Sequence, residues 1–72
     1  MIQKGIYCHY KGNFYEVLDV ARHSETLEEL VVYRALYDDY SLWVRPTAMF
    51  LEYVIVDGVL KQRFEYRGNV PH

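Results

Sequence analysis

The stretch Thr26-Leu27-Glu28-Glu29-Leu30-Val31-Val32-Tyr33-Arg34-Ala35-Leu36-Tyr37 decides the fold, because it supports two incompatible readings. As a helix, Thr26 and Glu29 form a capping box, each satisfying an orphan backbone donor near the other. Leu27, Leu30, Val31 and Ala35 then make an apolar stripe at helical spacing. As a strand, Val31, Tyr33, Ala35 and Tyr37 line one face. The branched Val31 and Val32 beside the Tyr33 ring favour extended backbone. The helical stripe breaks at Arg34, and the strand reading is preferred. Periodicity alone leaves the helix open for residues 27–37.

With a strand at 30–37, the flanking sequence falls into short extended segments. On the C-terminal side, Asp38-Asp39-Tyr40-Ser41 is a turn and Leu42 to Arg45 a short strand ended by Pro46, which has no ladder donor. Pro46 suits the first position of a helical turn, from which Met49 and Phe50 are expected to plug the core. Tyr53 to Val56, Asp57-Gly58 and Val59 to Phe64 read as a hairpin, the Asp-Gly pair suiting a type I′ turn. Tyr53, Ile55, Leu60, Gln62 and Phe64 then share a face. Residues 67–72 read as a frayed tail. On the N-terminal side, Arg22 to Glu29 is a polar loop. Ile6 to Tyr10 and Phe14 to Ala21 form a hairpin about the Lys11-Gly12-Asn13 turn. Tyr15 and Val17 share a face, and the alternation blurs at Leu18-Asp19-Val20, where one extra residue in a β-bulge would flip the facing.

The expected fold is therefore all-β: one domain over residues 1–72, core 5–64, built as a small antiparallel barrel of about five short strands with one short helical turn. Closure or near-closure removes the unpaired edges of a flat sheet. A chain of 72 residues buries only about 60% of its unfolded surface. Aromatic residues make up 17% of the chain and include 8 tyrosines, which supply large core side chains. One cysteine excludes an internal disulfide, and no Cys/His cluster points to zinc. No apolar run reaches membrane-spanning length and no signal-peptide core follows Met1, so a cytoplasmic location is expected and no membrane partner.

Chemistry-bearing residues fall in three places. Cys8 and His9 are adjacent on a strand and point to opposite faces, so they cannot form a thiolate–imidazole pair. Cys8 reads as a small buried residue and His9 as a surface one. His23-Ser24-Glu25-Thr26 holds an acid, a base and hydroxyls. Four consecutive residues do not converge as a catalytic triad must, and such runs bond to nearby backbone, which leaves a loop-fixing or ligand-contacting role. Trp43 and Arg45 share a strand face. If Val44 packs inward, both point outward, and Arg34 of the preceding strand joins them. Two guanidinium groups beside an indole suit a carboxylate, a phosphate or a stacked base. The alternative is intramolecular: Arg stacked on Trp, or paired with Asp38, Asp39 or Glu52.

Tyr7-Cys8-His9-Tyr10-Lys11-Gly12-Asn13, Tyr15-Glu16-Val17, Ala21-Arg22-His23-Ser24-Glu25-Thr26, Val31-Val32-Tyr33-Arg34-Ala35-Leu36-Tyr37, Trp43-Val44-Arg45-Pro46 and Met49-Phe50 occur in an order and spacing that resembles the small bacterial domain of unknown function family 1653. The resemblance covers residues 5–64 and rests on the combination of the His-Ser-Glu-Thr and Trp-Val-Arg-Pro stretches. It implies an SH3-type barrel. It implies no substrate, cofactor or partner. Cys8 departs from the pattern, where an Arg-like residue is common, so no thiol chemistry is carried over.

The leading functional expectation is a non-enzymatic binding module, with His23, Ser24, Glu25, Thr26, Arg34, Trp43 and Arg45 as the contacts. Its ligand would be a peptide, protein or nucleotide carrying carboxylate or phosphate. RNA or single-stranded DNA is the alternative, opposed by 8 basic against 10 acidic residues. An enzyme using His23 ranks last, since no spacing supplies an oxyanion hole, a metal or a cofactor cradle. Self-association as a homodimer is open, given the aromatic content and an unpaired edge strand.

Overall fold

The computed structural model of the chain describes residues 2–69. Its elements are β1 (Gly5–His9), β2 (Phe14–Arg22), β3 (Glu29–Ala35), β4 (Leu42–Pro46), α1 (Thr47–Phe50), β5 (Tyr53–Val56), β6 (Val59–Gln62) and β7 (Phe64–Gly68). Five strands form one antiparallel sheet in the order β4-β3-β2-β1-β7, and β5 and β6 form a separate two-stranded sheet.

The deciding stretch is a strand. Both partners of the supposed capping box are engaged elsewhere. Thr26 Oγ1 accepts from the Glu28 N–H at 3.2 Å, and the Glu29 carboxylate accepts from Thr47 Oγ1 at 3.0 Å. Between them Leu27 takes φ 64°, which ends any helical start. Val31, Tyr33 and Ala35 are buried on the inner face, as alternation requires. In β2 the bulge falls at Leu18: Val17 pairs Tyr33 and Asp19 pairs Val32, leaving Leu18 without an opposite number.

The core is Tyr7, Val17, Val31, Tyr33, Phe50 and Phe64. Phe50, from α1, lies flat on Phe64 of β7 with ring centroids 4.1 Å apart, and meets Tyr7 and Tyr33 edge-on. Phe64 also reaches Tyr33 of β3, at 5.7 Å, across a sheet in which β2 and β1 lie between their strands. The sheet therefore curls around the helical turn. It does not close by backbone pairing among the described residues: β4 and β7 are its two edges. Met49, expected beside Phe50 in the core, is exposed instead, because a single four-residue turn presents only one residue to the sheet.

Other expectations fail at the C-terminal hairpin. Asp57 and Gly58 have φ 51° and 76°, as a type I′ turn requires. The strand after it stops at Gln62, however. The Arg63 N–H bonds the Glu52 carbonyl at 2.9 Å, and the Arg63 carbonyl accepts from the Tyr10 N–H at 3.0 Å. Arg63 thus transfers the chain from the hairpin to the main sheet, and Phe64 leaves the face of Tyr53, Ile55, Leu60 and Gln62. That face is open to solvent, with Ile55 74% and Leu60 64% exposed. Of the supposed frayed tail, Arg67 and Gly68 belong to β7, where Gly68 pairs Ile6; residues 70–72 lie outside the described part. The structure has seven strands where about five were expected, and β7 is the one that these two changes add.

Gly5 fixes this last junction. It has φ +134°, and a Cβ there would sit 2.5 Å from the Gly68 carbonyl oxygen. Backbone cannot yield as a flexible side chain can, so Gly5→Ala is expected to destabilise the fold by about 2 kcal/mol or more. Urea melts measure it; a change within about 0.5 kcal/mol would show that β7 does not hold this register.

Candidate functional site

The His23-Ser24-Glu25-Thr26 loop joins β2 to β3; the His23 ring and the Thr26 hydroxyl bond within it, while the Ser24 hydroxyl and the Glu25 carboxylate stay exposed. The His23 ring Nδ1 accepts from the Glu25 N–H at 3.1 Å and the Thr26 N–H at 3.3 Å. The His23 N–H bonds the Glu28 carbonyl at 2.8 Å, and the Leu27 N–H bonds the His23 carbonyl at 2.9 Å. An imidazole nitrogen held by two amides is a turn-former, which is how such short polar runs behave. The loop is exposed and lies beside the Arg22–Glu29 pair, at one end of the β2–β3 ladder.

Arg34, Trp43 and Arg45 are not one set. The β3–β4 register sets Arg34 opposite Leu42, Tyr33 opposite Trp43, and Val31 opposite Arg45. Residues opposite one another share a face, so Trp43 and Arg45 lie on the inner face with Val31 and Tyr33. Val44 points out, so the condition under which Trp43 and Arg45 would face outward is not met. Arg34 is on the outer face, where it donates to the Tyr40 carbonyl at 2.7 Å and ties down the β3–β4 turn. In that turn Asp38 and Tyr40 take φ 52° and 56°, and Asp39 accepts from the Ser41 hydroxyl at 2.8 Å.

Trp43 and Arg45 instead join Tyr15, Tyr33 and Tyr37 around a cleft of about 200 Å³. Its far wall is the Tyr15 ring, edge-on to Tyr33 and to Tyr37 with centroids 5.5 Å away in both cases. The Tyr15 and Tyr37 hydroxyls share a 2.5 Å hydrogen bond. Burial first, then that bond, push the Tyr15 phenol above its ordinary value, so it stays protonated. The Arg45 guanidinium lies 5.7 Å from the Phe64 ring centroid, a cation–π contact, and has no carboxylate partner among the described residues. The intramolecular alternative is met with other partners than expected: Arg34 bonds the Tyr40 carbonyl, Arg45 rests on Phe64 rather than on Trp43, and Glu52 pairs with Arg63 at 3.4 Å. The cleft thus offers aromatic walls, three tyrosine hydroxyls and one guanidinium without an acidic partner among the described residues.

A larger groove of about 300 Å³ runs between β6 and the outer face of β1 and β7, lined by Cys8, Tyr10, Leu60 to Gln62, Glu65 and Arg67. Arg67 is already paired there with Glu65 at 2.8 Å, and Tyr10 supplies the one aromatic ring. Cys8, expected to be buried, is half-buried on this outer face with its thiol near the His9 carbonyl. Among the described residues no group of three or more His, Cys, Asp or Glu side chains converges as metal ligands would.

His9, expected at the surface, is half-buried beside the cleft, packing on Tyr10, Tyr15 and Phe64. Burial, and then the cations Arg63, Arg45 and Lys11, hold its imidazole below the ordinary 6.5. Well above pH 6.5 the ring is neutral in both folded and unfolded chains. As pH falls below that, the unfolded chain takes up the proton first, so stability declines until the lowered folded value is passed. Urea melts from about pH 8 to about pH 5 should show this loss, and His9→Gln should show less of it. An identical pH profile for the variant would contradict the assignment.

Periodicity pointed to Trp43 and Arg45 but not to the tyrosines around them. The signal that finds Tyr33 is register: a turn ending at Ser41 sets residues 33 and 43 opposite. Tyr15 and Tyr37 follow from the same ladder, through the Tyr15–Ala35 pair.

The fold recurs in a solved structure. A protein of the DUF1653 family from Bordetella bronchiseptica superimposes with a TM-score of 0.89 at 36% identity, over 99% of this chain and 94% of that one. No curated protein matches the chain. The family described as "Protein of unknown function (DUF1653)" matches residues 5–66, and the chain belongs to it.

Proposed function

We propose that this chain is a non-enzymatic binding module, with an SH3-like curl to its sheet, acting in the bacterial cytoplasm. Its ligand carries a carboxylate or phosphate and enters the cleft of Tyr15, Tyr33, Tyr37, Trp43 and Arg45. The observation that carries this reading is the Arg45 guanidinium, held on the Phe64 ring without an acidic partner among the described residues, beside a half-exposed indole. A guanidinium fork recognises planar oxyanions in two-point fashion, and an aromatic wall adds sequence-tolerant contact. His23 and Thr26 are committed to loop hydrogen bonds and Arg34 to the turn, so none of them is assigned to the ligand. No helix among the described residues is long and apolar enough to cross a membrane, and the single free cysteine suits a reducing compartment.

The test is an amide NMR titration with a pool of carboxylate-ended peptides, a nucleotide set and short single-stranded RNA. Shifts centred on the Trp43 indole, Tyr33 and Arg45 are expected with a peptide or nucleotide. Binding of RNA alone, falling steeply with salt, would favour the nucleic-acid alternative. Silence with every pool would remove the reading.

A further inference from the structure

We infer that β4 is the pairing edge of a two-fold symmetric dimer, in which β4 of a second copy of this chain adds antiparallel to it. β4 ends the five-stranded sheet, and its outer side has no strand partner among the described residues. The Ala35 N–H bonds the Ser41 carbonyl at 3.0 Å, so residues 41, 43 and 45 direct their backbone groups toward β3. Alternation leaves the N–H and C=O of Leu42 and Val44 pointing outward, while Pro46 is the N-cap of α1 and its carbonyl takes the first helical bond.

Soluble proteins guard such edges with charge, and the opposite edge shows it. β7 carries Glu65 and Arg67, exposed and paired with each other at 2.8 Å. On β4 the guards stand only at its end, in Arg45 and Pro46, while Leu42, Trp43 and Val44 are consecutive, uncharged and 53%, 54% and 59% exposed. β5 is uncharged too, but it belongs to the two-stranded arm, and a pairing there centred between Val54 and Ile55 would set Glu52 against Asp57 of the second copy.

The sequence of β4 is complementary to itself about Val44. With the two-fold axis there, Val44 faces Val44 of the second copy, and their N–H and C=O groups exchange two hydrogen bonds. Leu42 faces Pro46 of the second copy, which has no donor and whose carbonyl caps α1. The ladder bonds are therefore confined to the central Val44 pair, and the flanking side-chain pairs set the register. Trp43 faces Arg45 of the second copy, twice by symmetry, in the closely spaced class of pair. Each guanidinium without an acidic partner thus lies over a half-exposed indole, and no like charges meet. The result is a continuous ten-stranded sheet with both clefts opening on one face.

Sedimentation of the full chain from about 1 μM to about 1 mM tests it. A concentration-dependent dimer is expected, with the Val44 amide protected from exchange as it forms. Val44→Lys sets two ammonium groups opposite each other and should weaken self-association at least about tenfold. Val44 is exposed, so the variant should keep its amide spectrum away from β4. A wild-type chain that stays monomeric over the whole range, or a dimer that Val44→Lys leaves intact, overturns the inference.

Discussion

Phe50→Ala should leave the domain with little net stability at 25 °C. Phe50 is fully buried, stacked on Phe64 at 4.1 Å and edged by Tyr7 and Tyr33. Removing a buried phenylalanine costs about 3–5 kcal/mol, from lost transfer energy and the cavity left behind. A domain of 72 residues holds only about 4–11 kcal/mol in all. This chain has no disulfide to limit the loss, and α1 presents no second core residue to refill the space. Urea unfolding followed by circular dichroism measures the change. A loss below about 1 kcal/mol would mean that the sheet curls without its plug.

Arg45→Ala should separate binding from folding. Its visible intramolecular tie is the contact with Phe64, which contributes about 0.5–1 kcal/mol at a partly exposed site. A hydrogen-bonded pair between guanidinium and oxyanion contributes about 1.5–3 kcal/mol, so the variant should bind roughly 10–100-fold more weakly. Arg45→Lys keeps the charge but not the fork and should fall between the two. Calorimetric titration beside urea melts reads both quantities. An Arg45→Ala variant that loses several kcal/mol of stability would make the arginine scaffold rather than contact.

Much of this architecture is legible in the sequence where local chemistry and period agree. The Asp57-Gly58 turn, the bulge at Leu18 and the helical turn after Pro46 each follow from residues that tolerate few alternatives. The strand at 29–35 follows from its β-branched residues, and the resemblance over residues 5–64 pointed the same way. What failed were facings and partners, which depend on register across the chain. Val44 inward was the condition for an outward Trp43 and Arg45, yet an edge strand has only one covered face and the register gave it to them. Arg34 looked like a neighbour of Arg45, yet the register set Leu42 opposite it. Phe64 was read as the end of the strand that starts at Val59, and nothing local in Lys61-Gln62-Arg63 marks Arg63 as the point where the chain changes sheets. The cleft was half legible for the same reason. Its residues come from β2, β3, β4 and the turn after β3, and only the pairing brings them together.

Trp43 is the single tryptophan of the chain and stands at the cleft, so its fluorescence is the most direct reporter of whether that cleft takes a ligand. At fixed protein concentration, titration with short carboxylate-ended peptides should shift its emission to the blue and saturate, and Arg45→Ala should move the midpoint upward. Emission that stays unchanged across the peptide and nucleotide sets, in a chain that remains folded, would contradict the cleft as a binding site.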